Sequence, residues 1–201
     1  MVTPAVVWEG SPPSGELEDD PWVRTMREGF VALAAATNSV NYVDGDISTT
    51  WREDIVLRAA DLARSQLANG NAVVVLGPRP FTPVEVTVDD DGQTAEVAVC
   101  IGSSTVVEER PSQEAEGREA MIYGLRLGED GYRRITGTRQ PERGHTLVDG
   151  GQFHDEYCQA VPLGRALFDP APELAPLLNL DGDDVVAPPS PSPTFAVEVP
   201  T

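Results

Sequence analysis

The sequence predicts an α+β fold, with two N-terminal helices packed on a curved antiparallel sheet of four to five strands and irregular termini. Two observations carry this. Helical periodicity stops near Asn69-Gly70, and only afterwards does strand alternation begin, an order that segregates helices from sheet. The runs Val84-Glu85-Val86-Thr87-Val88 and Ala95-Glu96-Val97-Ala98-Val99 alternate with period two and meet at Asp91-Gly92, a hairpin signal.

Residues 1–18 include Gly10, Ser11, Pro12, Pro13 and Ser14, show no periodicity and read as a flexible arm. Asp20 is a good N-cap with Pro21 at the first helical position, opening a helix to about Asn38. Its large groups, Trp22, Met26, Phe30, Leu33 and Thr37, recur every three or four residues and share one face, and Gly29 among them permits close packing. Asn41–Asp46 is rich in turn formers. Thr50 and Glu53 have the spacing of a capping box, so a second helix is expected from about Trp51 to Ala68, with a stripe of Trp51, Ile55, Ala59, Leu62 and Ala63. Val73–Leu76 reads as a short buried strand, ended by Gly77-Pro78. After the hairpin, Thr105–Glu108 continues or bends the strand, since Thr105, Val106 and Val107 are β-branched, Glu109–Gly117 is an exposed loop, and Met121, Tyr123, Leu125 and Leu127 alternate into a second hairpin through Glu129-Asp130-Gly131. The domain so defined spans residues 19–140. A strap over 141–180 packs on it, and a Pro/Ser-rich disordered tail covers 181–201, where Pro188 to Pro193 alternates proline with serine.

Charge narrows the partners. The 201 residues carry 33 acidic against 14 basic side chains, a formal charge of −19 that repels phosphate backbones and argues against nucleic acid. Every basic residue is arginine, which together with abundant Ala, Val, Gly and Asp fits the codon bias of an actinobacterium or one of its phages. No run of 18 apolar residues exists to span a membrane. Met1-Val2-Thr3-Pro4 does not open a signal peptide, so the chain as written is expected in the cytoplasm or a virion; a mature secreted or cell-surface domain fits the same residues.

The helix–helix–sheet order, Asp20-Pro21-Trp22-Val23-Arg24 opening the first helix, and the Gly-Pro…Pro-Val-Glu-Val-Thr-Val and Ala-Glu-Val-Ala-Val-Cys runs together resemble nuclear-transport-factor-two-like domains of uncharacterised actinobacterial type. The resemblance covers roughly residues 18–140 and implies a cystatin-like cone, as in SnoaL-like cyclases and ketosteroid isomerase, with an apolar pocket enclosed between sheet and helix. Its inward strand positions are then Val84, Val86, Val88, Val97 and Val99. The enzymes of that group place a carboxylate base and polar partners inside the cone, and no matching Asp or Tyr maps onto this chain.

Candidate sites follow from residue chemistry. Trp22, Met26, Phe30, Trp51 and Tyr123 either line a ligand pocket or fill the core. His145, His154 and Asp155, with Glu156 alongside, can act as acid–base groups if they converge in a cleft; otherwise they belong to a solvated loop. Cys100 lies on the strand face opposite Val97 and Val99, where it either bonds Cys158, for roughly 4 kcal/mol of loop-closure stabilisation, or remains one of two free thiols. No CxxC pair, EF-hand loop, phosphate loop or GxSxG elbow is present, so no metal and no cofactor is expected. The residues thus predict a non-catalytic binding or assembly module for a protein partner or small apolar ligand, with oligomerisation open. A SnoaL-like or isomerase-type enzyme and a phage structural protein are the alternatives.

Overall fold

The computed structural model describes residues 4–108 and 117–189. Four helices and three separate antiparallel sheets are present among them. The strands are β1 (Ala5–Trp8), β2 (Val73–Val75), β3 (Phe81–Val88), β4 (Thr94–Ile101), β5 (Val106–Glu108), β6 (Glu119–Leu127), β7 (Arg133–Arg139) and β8 (Ala166–Asp169). The helices are α1 (Pro21–Ser39), α2 (Ile47–Thr50), α3 (Glu53–Ala68) and α4 (Asp155–Gln159). One sheet has the order β3-β4-β6-β7; the other two are the ribbons β1-β8 and β2-β5.

This arrangement replaces the expected cone. None of the sheets closes or curls around a cavity, and the strand material is divided because the chain leaves the main sheet at glycines. At Gly77 a Cβ would stand 2.0 Å from the Ala166 carbonyl oxygen, so only glycine lets the segment after β2 pass this close to β8 before the chain turns to β3. Gly102 follows β4 and donates its N–H to Pro80 O, sending the next residues to pair β5 with β2 instead of extending β4.

Helix α1 starts as its residues dictate. Asp20 Oδ1 accepts from Trp22 N at 2.8 Å and Val23 N at 3.4 Å, with Pro21 beginning the helix. The second helix differs from expectation. Thr50 belongs to α2, where its hydroxyl donates to Asp46 O, so it cannot cap α3. Trp51 is extended and bridges Ile135, and α3 opens at Glu53 behind Arg52 without a side-chain cap. The fully buried residues of α3 are Val56, Ala60, Ala63 and Leu67; Ile55 and Ala59 pack on the same core half-buried, and Leu62 is exposed.

Both faces of the main sheet are covered. Val97, Val99, Leu125 and Ile135 join the larger core with α1 and α3, whereas Ala98, Cys100, Ala120 and Ile122 join a second cluster with Leu147, Phe153 and Cys158. A bulge between Pro83 and Glu85 adds one residue to β3. As a result Val84 packs on the second cluster rather than inward, and Val88 is exposed at the hairpin end.

The termini are more structured than a free arm and tail. Residues 5–8 form β1, Glu16–Asp19 a 3₁₀ turn, and Val186 bridges Asn41. The expected loop over residues 109–116 and the Pro/Ser alternation beyond Pro189 lie outside the described residues. No helix among the described residues is long and apolar enough to cross a membrane.

Candidate functional site

A concavity with a mainly apolar lining lies beside α1, not inside a cone. It has a volume of about 290 Å³ and is bounded by Val6 and Trp8 of β1, Arg27, Phe30 and Val31 of α1, Pro80 and Phe81 at the start of β3, and Ala166 of β8. This is near the lower end for a ligand pocket, enough for one large side chain or a small ring compound.

Arg27 sets the electrostatics of this cleft. Its Nε and Nη2 donate to the two carboxylate oxygens of Glu18 at 3.0 and 2.7 Å, a bidentate pair that fixes the plane of the guanidinium. Its Cζ sits 3.7 Å from the Phe81 ring centroid and 5.6 Å from that of Trp8. A neutralised, ring-stacked cation therefore forms part of an otherwise apolar wall. Glu28, Asp46 and Arg79 provide the polar portion of the lining.

The backbone of β1 adds a second element. Glu9 N donates to Arg165 O, so the hydrogen-bonded pairs of this ribbon fall at odd positions such as Val7↔Leu167. Val6 and Trp8 therefore turn their N–H and C=O groups away from β8. On the far side of β8 the equivalent direction is occupied, since Phe168 N donates to Leu76 O at 2.8 Å. No described residue does the same for Val6 or Trp8, and β1 is an open edge bordering the cleft.

Of the expected pocket residues, Phe30 alone reaches this cleft. Trp22, Met26, Phe30, Trp51 and Tyr123 are all buried in the main core. Phe30 meets the edges of Trp51 and Tyr123 at centroid distances of 5.6 Å, and lies 5.4 Å from Phe81. Trp51 Nε1 donates to Gly29 O at 2.7 Å; a Cβ on Gly29 would come within 3.0 Å of that nitrogen and 2.9 Å of Ile135 Cδ1. Tyr123 is the one hydroxyl in the set, and burial pushes its phenol above the ordinary value.

The acid–base candidates are placed apart in the strap. His145 packs edge-on against Phe153 at 6.0 Å, and its carbonyl accepts from Phe153 N. His154 caps α4, with Nδ1 accepting from Tyr157 N at 3.4 Å, and Asp155 Oδ1 accepts from Ala120 N at 2.8 Å. Each has a local structural task, and none of the three side chains lines the cleft beside α1. Among the described residues, no cluster of three or more His, Cys, Asp or Glu is arranged to hold a metal ion. Cys100 and Cys158 are joined in a disulfide, with a Cα–Cα distance of 5.2 Å.

Sequence reading missed Val6, Trp8 and Arg27. Trp8 within Ala5-Val6-Val7-Trp8 was the available signal, a β-prone run inside what looked like an arm.

No family model matches the chain, and no curated protein matches it. Among solved structures it is similar to the crystal structure of the intermembrane space region of chloroplast protein ARC6, at 14% sequence identity and a TM-score of 0.35. That alignment covers 64% of this chain and 97% of the other. The resemblance to nuclear-transport-factor-two-like and SnoaL-like domains is thus corrected twice, by the three separate sheets and by the lack of any matching family model.

Proposed function

We propose that this chain is a non-catalytic binding module that takes an extended segment of a protein partner along β1. The carrying observation is the juxtaposition of the open β1 edge with the apolar cleft beside it. An added strand would satisfy the free N–H and C=O groups of Val6 and Trp8, and one of its side chains would enter the cleft between Trp8, Val31 and Phe81. The cleft suits a bulky apolar residue. Its ring-stacked Arg27 is already neutralised by Glu18, so the site has no need of a charged partner residue at that point.

The reading is tested by titrating the full chain with a capped pentapeptide, Val-Thr-Phe-Thr-Val, while following backbone amides by NMR. Amides of Val6 and Trp8 are expected to gain exchange protection, while that of Val7, already directed toward β8, changes little. Val31→Trp, which fills the cleft from the outer side of α1, should abolish the response. Protection that is absent, or unchanged in the Val31→Trp chain, overturns the proposal.

A further inference from the structure

We infer that a second, polar concavity, beyond the C-terminal end of β4, is a binding site for a small molecule carrying an oxyanion, a carboxylate or a phosphate. Its volume is about 620 Å³, and Arg118, Arg165, Ser104 and Thr105 contribute to its lining. The argument starts from charge. Of the 13 arginines among the described residues, seven form an ion pair with a carboxylate and six do not. Arg27 pairs with Glu18, Arg64 with Asp61, Arg134 with Asp130 and Arg139 with Glu96. Arg24, Arg118, Arg126, Arg133, Arg143 and Arg165 pair with no carboxylate of the described residues, and of these Arg118 and Arg165 line the same concavity.

Arg118 is held in place by neutral groups. Its Nη1 donates to Gln159 O at 2.8 Å and Val161 O at 2.6 Å, while Gln159 Nε2 donates back to Arg118 O at 3.0 Å. Carbonyl acceptors orient the guanidinium without cancelling its charge, and its Nε and Nη2 make no hydrogen bond to a described residue. The carbonyls themselves are fixed, because the Cys100–Cys158 disulfide ties α4 to β4 and Thr82 Oγ1 donates to Pro162 O at 2.6 Å. Arg165 approaches from the β8 side, its own carbonyl engaged by Glu9 N. Two like charges sharing a concavity repel each other, and a bound oxyanion removes that repulsion. The fork of an arginine matches the two oxygens of a carboxylate or phosphate, and the neighbouring Ser104 and Thr105 hydroxyls supply further donors. The room beyond the anion accommodates an attached organic group.

The test is isothermal titration calorimetry of the full chain with succinate and, separately, with glycerol 3-phosphate at constant ionic strength. Saturable binding of at least one, with roughly millimolar dissociation constants, is expected for two guanidinium contacts opposed by the overall negative field. The preferred ligand distinguishes carboxylate from phosphate. Arg165→Gln should weaken that binding about tenfold or more, as loss of a charge-assisted hydrogen bond does, and Arg165→Lys should restore part of it. Arg126→Gln removes the same unit of charge outside the concavity and should leave binding unchanged. The exposed Arg165 is chosen because its substitution spares the fold, whereas Arg118→Gln also cuts the tie to α4. Absence of saturable binding by both ligands, or an equal loss in Arg126→Gln and Arg165→Gln, overturns the inference.

Discussion

On one face of the β3-β4-β6-β7 sheet, Val97, Val99, Leu125 and Ile135 meet the aromatic side of α1. On the other, Ala98, Cys100, Ala120 and Ile122 meet a strap with a single short helix. The first face is closed by large side chains from long regular elements, with Phe30 in edge contact with Trp51 and Tyr123. The second has small residues on the sheet and few large ones above it, chiefly Leu147 and Phe153. A disulfide across a sequence separation of 58 supplies what that limited apolar contact does not. The difference teaches that a sheet can bury both faces by different means. One face is held by packing and the other by a covalent tie, and neither is left concave and empty.

The largest expected effect breaks the packed face. Phe30→Ala should cost about 3–5 kcal/mol in urea unfolding, because it removes a buried ring that packs against three others and borders the cleft. A loss below about 1 kcal/mol would mean that this face collapses easily and is not packed as described. Next comes the tied face. The double substitution Cys100→Ser and Cys158→Ser should cost up to about 4 kcal/mol. Amide exchange should accelerate first over residues 145–163 while α1 stays protected; equal loss of protection in α1 would show that the two faces are not separable.

Gly77→Ala probes the link from the main domain to the β1-β8 ribbon. The new Cβ would meet the Ala166 carbonyl oxygen at 2.0 Å and Leu167 Cα at 2.9 Å, so backbone has to move, at about 1–3 kcal/mol. Chemical-shift changes centred on β8 and β1 are expected, with the Cys100 side unaffected. The smallest effect concerns the helix-bearing side at low pH. Asp130 accepts hydrogen bonds from Arg134, which lower its pKa from 3.8 to about 2, and Arg134 in turn donates to Ser48 O of α2. A folded-state pKa below the unfolded one contributes stability above pH 4 that is lost as pH falls from about 4 to about 2. The urea midpoints of the native chain and Asp130→Asn should therefore differ slightly at pH 6 and draw together as pH falls from about 4 toward 2. A gap that does not narrow over that range would assign the effect to something other than this carboxylate.

Local signals were legible wherever the deciding contact was close in sequence. Asp20-Pro21 marks the start of α1, and Asp91-Gly92 and Gly131 lie in the two hairpin turns of the main sheet. The stripe of α3 was partly legible, since Trp51 and Ala63 are buried and Ile55 and Ala59 pack on the core; its start was not, because the Thr50 hydroxyl donates to the carbonyls of Asp46 and Ile47 instead of capping α3. The candidate site was hidden for a related reason. Val6 and Trp8 gain meaning only when β8, about 160 residues away, turns the arm into a strand. The bulge at Pro83–Glu85 shifted Val84 to the second cluster, something a strict period of two cannot foresee.

By itself, the sequence determined the capped first helix, two hairpins, a strongly acidic surface and the pair of cysteines, since each depends on residue identity or short-range geometry. Only the tertiary structure decided that the strands divide into three sheets, that aromatic residues suited to a pocket fill the core instead, and that an unpromising N-terminal run borders the apolar cleft. The physical reason is that strand pairing and cavity formation depend on which distant segments come into contact. A carbonyl 2.0 Å from where a side chain would begin is a property of two segments together, and neither one encodes it alone.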